Sequence, residues 1–495
     1  MTRNRILLVT AGIMLSLFLA SMESTVVATA MPTIVGQLGG LEHYSWVFSA
    51  YMLASTTTVP LYGKLSDLYG RRRLYVFAMA LFLAGSVLSG MAHSMEGLIA
   101  ARALQGLGAG GIMPLAFILI GEMFSLSERA RMQGFFSGVW GVSSIIGPLL
   151  GGFLVDQLSW RWVFFINLLP GLLAAALVAF AWRDHAHTHE RLAVDYAGAA
   201  LLSASVVALL LGMVELGTAV SWLLIGASVV LFVALLRVES RAADPVLPVH
   251  LFRDRLLAAA VGHGVLTGWA MFGSVSFFPL FVQSVLGTSA TQAGITITPM
   301  LLGWVTASVI GMRLLMKVGF RVLGLVGTAT LAVGAFLMTL IGASSSQALM
   351  MVFVALMGIG MGLSIPSFLV AIQTGVERRY LGTATSTLQF SRNIGGTLGV
   401  SVMGAALSIR LARNLATAGL DPSLVTRLLD PVASLNVTLD RGVGLAMADA
   451  MHIVFVIAFV AAILGVVAAF FAPHRDLAEK VPSPAESEQP FIAAD

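Results

Sequence analysis

The sequence predicts an all-α polytopic membrane protein: two six-helix bundles related by a parallel pseudo-two-fold repeat, plus an inserted helical hairpin, fourteen spans in all. Three observations predict it. The composition is too apolar for water, apolar stretches of spanning length follow one another along the chain, and a glycine-rich segment recurs at a fixed interval. Of the 495 residues, 58% are hydrophobic and 11% charged, against roughly 45–50% and about 25% in soluble domains. So few charges cannot cover a water-facing surface. The chain has no cysteine, which excludes disulfides, thiol chemistry and Cys-ligated metals. The net charge of +4 is read as a topology signal and not as a footprint for nucleic acid. The start Met1-Thr-Arg-Asn-Arg5 is followed by an apolar run too long for a signal peptide, so it reads as a first permanent span.

A hydrocarbon core about 30 Å thick takes roughly 20 apolar residues per helix. Such stretches lie at 6–31, 44–62, 73–92, 97–121, 132–155, 161–181, 196–216, 221–236, 256–283, 293–315, 321–342, 347–373, 383–409 and 449–472. With the N-terminus inside, about 21 of the 28 Lys and Arg residues fall on one side. The positive-inside rule then puts both termini in the cytoplasm of a plasma (inner) membrane.

The recurrent segment is Gly106-Leu-Gly108-Ala-Gly110-Gly-Ile-Met-Pro114 in span 4 and Gly358-Ile-Gly360-Met-Gly362-Leu-Ser-Ile-Pro366 in span 12. Spans 5 and 13 pair Arg131 with Arg379, Gly134 with Gly382, Gly147 with Gly395 and Gly151 with Gly399. The interval covers eight spans, an even number, so both copies cross the membrane in the same sense, as in transporters whose halves rock about a midplane site. This divides the chain into a bundle at 1–182, connectors and a hairpin at 183–255, a second bundle at 256–473 with a long external loop at 410–448, and a cytoplasmic tail at 474–495.

Three motifs follow in order. After span 2 comes Gly63-Lys-Leu-Ser-Asp67-Leu-Tyr-Gly70-Arg71-Arg72-Arg73, a tight turn whose Asp67 suits a helix N-terminus. Span 4 opens with Arg102-Ala-Leu-Gln105-Gly106. Span 5 carries Gly141 and then Gly147-Pro148-Leu-Leu-Gly151-Gly152, where glycines admit a second helix and proline bends the first. Together these resemble the signature motifs of the major facilitator superfamily, the span 5 segment its antiporter motif. Span 1, with Met22-Glu23-Ser24-Thr25 through Met31-Pro32, resembles the fourteen-span drug:proton antiporter branch, as do Trp160-Arg161-Trp162 through Asn167 and the Gly287 to Pro299 region. One departure is Glu23, where that branch more often has Asp. The resemblance implies a monomeric, cofactor-free exporter of lipophilic or cationic small molecules driven by protons. It leaves open a specific lipid, metabolite or antibiotic as cargo. It also implies a conformational latch of Gly63, Asp67, Gly70, Arg71 and Glu122.

Ionisable groups within a membrane are costly and so are functional candidates. Glu23 and Arg102 both fall in the outer half of their spans. Burial favours the neutral acid and an approaching guanidinium favours the carboxylate, so such a pair can load and release a proton; a permanent structural ion pair is the alternative. Gln105, Gln389 and Arg392 are candidates for a substrate cavity, Arg392 being equally suited to binding backbone carbonyls. His263 and His452 read as structural histidines, Glu215 as a loop anchor, and His185-Ala-His187-Thr-His189 as a solvated connector and not a metal site. No nucleotide-binding loop or catalytic constellation is present, so neither ATP hydrolysis nor any other enzymatic role is expected.

Overall fold

The computed structural model describes residues 2–39, 43–182, 195–214, 218–242, 245–246, 249–288, 290–377, 380–417 and 441–474. Glu215, the His185–His189 tract, Arg379 and the tail from 475 lie outside the described residues, as do a few side chains within them, that of Pro148 included.

Where lipid replaces water, every backbone N–H and C=O must find a partner inside the protein, and a helix does this within itself. The described residues are accordingly helical throughout, with no strand. The helices are α1 Arg3–Leu38, α2 Tyr44–Tyr69, α3 Arg71–Gly90, α4 Met95–Met123, α5 Leu126–Gln157, α6 Trp162–Phe165, α7 Leu168–Ala181, α8 Tyr196–Val214, α9 Ala219–Glu239, α10 Arg255–Leu286, α11 Ala290–Thr339, α12 Gln347–Gly375, α13 Leu381–Thr417 and α14 Arg441–Phe470. By length and apolarity alone, eleven helical segments suit a membrane crossing among the described residues.

Three differences from the expected spans have local causes. The stretch 161–181 is broken into α6 and α7, because Pro170 has no N–H with which to continue the ladder from Ile166. The stretches 293–315 and 321–342 form one run, α11, interrupted only at Gly319, whose φ of 79° suits glycine. The external loop expected at 410–448 is shorter, since α13 runs to Thr417 and α14 starts at Arg441. There Asn414 Nδ2 donates to Asp449 Oδ2 at 2.9 Å and to Ala446 O at 3.0 Å, which holds the two helix ends together. His452, expected to be satisfied and structural, is exposed on α14.

Glycines decide where the helices cross. A Cβ on Gly106 or Gly110 would strike the backbone of Tyr51 or Ser55 in α2, and one on Gly108 that of Phe82 in α3. In α12, Gly358 and Gly362 meet Met300 and Trp304 of the first limb of α11, and Gly360 meets Leu331 of its second limb. Tyr51 and Met300, Ser55 and Trp304, and Phe82 and Leu331 are each 249 residues apart. Likewise Gly147 and Gly151 of α5 pack on Thr25 and Thr29 of α1, while Gly395 and Gly399 of α13 pack on Val265 and Trp269 of α10. Thr25 and Thr29 turn their hydroxyls back to Met22 O and Val26 O, leaving no orphan donor at the contact. Gly152 meets nothing within 4 Å, and Gly141 faces Val305 of α11 across the gap between bundles.

The bundles touch along two seams. On one, α5 meets the first limb of α11, where Ser137 donates to Ser308 at 2.9 Å and Trp140 stacks on Trp304 at 6.5 Å. On the other, Gly63 of α2 lies against Ser386 and Gly382 of α13. The α8–α9 hairpin packs Leu202, Val206, Leu210 and Leu235 against Leu53 and Leu61 of α2 and against Phe390 and Ile394 of α13, bridging this second seam.

Gly360→Ala is expected to lower the thermal unfolding midpoint, because its Cβ meets the backbone nitrogen of Leu331 and overpacking of this kind costs about 1–3 kcal/mol. Gly152→Ala, with open space around it, is expected to leave the midpoint level or raise it slightly. Fluorescence-detected size exclusion after heating checks both.

Candidate functional site

A polar cluster is built where α1, α3, α4 and the α6–α7 break converge. Glu23 and Arg102 are each 1% exposed and form an ion pair through Oε1 and Nη1. The same Nη1 donates to Gln105 Oε1 at 2.6 Å, and Nε donates to Val47 O at 3.4 Å. The guanidinium lies over the Tyr51 ring at 4.2 Å, a cation–π contact that supports its charge in a dry site. The second oxygen of Glu23 accepts from Asn167 Nδ2 at 2.7 Å. That nitrogen also donates to Ser86 Oγ at 3.0 Å, and Ser86 donates to Phe164 O at 2.8 Å. The break before α7 therefore has a use, since it places Asn167 beside Glu23. The carboxylate is held on one oxygen by a cation and on the other by a neutral amide. Protonation weakens both contacts at once.

A second constellation closes the face that carries the N-terminus. Gly70, with φ 89°, makes the turn between α2 and α3. Arg71, 2% exposed, reaches back to Asp67 at 2.6 Å and across to Glu122 at 3.0 Å, and Nη1 donates to Ser66 at 3.1 Å. Asp67 accepts from the α13 backbone at Gly382 N, 3.2 Å, and Thr383 N, 3.0 Å, and from Thr383 Oγ1 at 3.0 Å. An acid at the N-terminus of a helix engages both its unsatisfied N–H groups and its dipole. Two further bonds join the bundles on this face: Arg129 Nη1 to Gln373 O at 3.1 Å and Gln373 Nε2 to Phe117 O at 3.0 Å. Beside them Ser125 and Glu128 form the capping box that starts α5, and the Ser125 N–H and hydroxyl hold the Glu128 carboxyl below its ordinary range.

The third place is a cleft in the C-terminal bundle, lined by His263, Thr267, Phe368, Gln389 and Arg392 among others. Gln389 and Arg392, three residues apart, face it from α13. Gln105, expected in the same cavity, belongs instead to the Glu23–Arg102 cluster and is fully buried. Sequence reasoning passed over Asn167, Ser86, Tyr51 and Gln373 as site residues. Asn167 carried the one usable signal, a lone amide within the Trp160–Asn167 segment.

Removing Arg102 leaves Glu23 buried without a counter-charge. Arg102→Ala is expected to destabilise by about 3–5 kcal/mol, the usual cost of halving a buried pair. The double change Glu23→Gln with Arg102→Gln is expected to recover most of that loss. Thermal unfolding of the three proteins in detergent decides it.

Comparison with known proteins places this geometry. The Major Facilitator Superfamily profile matches residues 13–400. The Multidrug transporter protein MdtP of Bacillus subtilis (strain 168) is 39% identical over 427 residues, covering 85% of this chain and 78% of that one. Multidrug resistance protein 3 of the same strain is 35% identical over 94% of both chains. The solved structure of the proton:xylose symporter XylE superposes with a TM-score of 0.62 over 96% of this chain and 97% of that one; at 14% identity this likeness speaks for the fold alone.

Proposed function

This chain belongs to the major facilitator superfamily, and from that premise we propose that it exports drug-like lipophiles or cations in exchange for protons. It is a multi-pass membrane transporter and not an enzyme. The names of its bacillar relatives favour drug-like cargo.

The reading comprises fourteen crossings with both termini cytoplasmic. What supports the number is the Gly319 break, which cuts the 50-residue α11 into two limbs of spanning length. Lys and Arg then fall mainly on the cytoplasmic side. Support for a pseudo-two-fold repeat comes from the constant spacing of the glycine partners. The single observation that carries proton coupling is the buried Glu23 held by Arg102 on one side and Asn167 on the other. A proton arriving from outside neutralises Glu23 and frees Arg102, which keeps Gln105, the Val47 carbonyl and the Tyr51 ring as partners. The cluster is then no longer an ion pair, and the helices that it ties together, α1, α4 and α7, can re-pack in a different conformer. Release of the proton inside restores the pair.

Asp67 is proposed as the latch of the cytoplasmic side. A carboxylate at a helix N-terminus is worth about 0.3–1 kcal/mol when exposed and up to about 2 when partly buried. It is strong enough to bias two conformers and weak enough to be broken in each cycle. Arg71 ties it to Glu122 and so to α4, the helix that also carries Arg102.

Glu23→Gln is expected to abolish proton-driven efflux with folding retained, and Glu23→Asp to keep part of it; efflux of a cationic dye from proteoliposomes with an imposed pH gradient measures this. Normal efflux by Glu23→Gln would remove Glu23 from the mechanism. Asp67→Asn is expected to shift the population toward inward-open, about tenfold for each 1.4 kcal/mol lost, and to slow turnover with little change in affinity. Electron–electron distances between spin labels at Arg72 and Glu377 report it, and an unchanged distribution would exclude the latch.

A further inference from the structure

Among the described residues, the C-terminal bundle holds a buried charge without a partner. Helices α10, α11, α12 and α13 contain no Asp or Glu at all. Arg392 lies 11 residues into α13, about 16 Å along it at 1.5 Å per residue, at the depth of the hydrocarbon. Its Nε is buried without an acceptor, and no hydrogen bond or ion pair reaches its guanidinium among the described residues. The contrast with Arg102 is direct, since that guanidinium has a carboxylate, an amide oxygen and an aromatic ring. An unpaired guanidinium at this depth is too costly to keep without a use.

The other groups at the cleft do not supply the missing acceptor. Thr267 donates to His263 O at 2.6 Å. Thr328 gives its hydrogen to Gly324 O at 2.6 Å, so the hydrogen shared between its oxygen and His263 Nε2, at 2.9 Å, is the imidazole's. Gln389 is 5% exposed and makes no hydrogen bond among the described residues, one helical turn from Arg392 and on the same wall. What faces the cleft is thus a fork of guanidinium donors and a carboxamide. Beside them lie the apolar surfaces of Phe368, Ile365 and Leu388. A guanidinium fork matches a carboxylate or sulfonate in shape as well as charge.

We propose that this cleft is the subsite for one anionic group of an otherwise lipophilic ligand, so that the cargo includes lipophilic monoacids. The proposal rests on the transporter reading and narrows it: a lipophilic acid finds its counter-charge at Arg392.

The test uses 1-pyrenebutyrate and its uncharged methyl ester, titrated calorimetrically into the purified full chain in dodecyl maltoside. The wild type is expected to bind the acid about tenfold or more tighter than the ester. Arg392→Gln is expected to bring the acid-to-ester ratio close to one, and Arg392→Lys to restore part of it. A wild type that prefers the ester, or a ratio unmoved by Arg392→Gln, overturns the proposal. If Arg392→Gln does not fold, Gln389→Leu decides, because it removes a donor from the same wall: a lowered ratio supports the subsite and an unchanged ratio overturns it. Proton-driven transport of the ester by wild-type proteoliposomes separates the two levels. Transport without acid selectivity sinks this inference and leaves the antiport reading standing; acid selectivity without proton-driven transport does the reverse.

Discussion

Glu23 and Arg102 share a site from which water is excluded, and much of the N-terminal bundle is arranged to make that tolerable. A lone carboxylate or guanidinium there would cost several kilocalories per mole, so each must be answered on all sides. Gln105 and Val47 O engage Arg102, and Asn167 engages Glu23. To bring these groups together, α4 must approach α2 and α3 at backbone distance, which is what Gly106, Gly108 and Gly110 allow. To present Asn167, the helix after α5 has to break, which Pro170 ensures. The close packing and the broken helix are two conditions of the same ion pair.

Much of the helical arrangement was legible because its causes are local or periodic. Apolar runs marked the helices, and the Gly-x-Gly-x-Gly-x-x-x-Pro recurrence marked the glycines at which α4 meets α2 and α3 and α12 meets α11. What stayed illegible depended on other parts of the chain. Gln105 was read as a cavity residue, and only the approach of α1 turns its face of α4 into a closed cluster. Asn167 lies 144 residues from Glu23, and no window of sequence joins them. The tightness of the turn in α11 was hidden: the charges Arg313, Lys317 and Arg321 look like a loop, yet a single positive-φ glycine is all that separates the two limbs.

The two bundles share packing but differ in charge. Glycine contacts recur at matched positions, since the same crossing geometry needs the same clearance. The ionisable groups do not recur. One bundle pairs its buried cation internally, and the other leaves the Arg392 Nε buried without an acceptor among the described residues. The matched glycine contacts leave chemistry free to diverge where a side chain faces a cleft and not a neighbouring helix.

The α8–α9 hairpin gives the molecule a front and a back within the plane of the bilayer. It seals the α2–α13 seam by touching both helices at once. The opposite seam, between α5 and α11, is flanked by Phe135, Leu302 and Ile310, all more than half exposed. Every parting of α2 from α13 must first strip the hairpin's leucines from one of them. The two seams thus differ in what holds them closed: hairpin leucines over one, a serine pair and a tryptophan stack within the other.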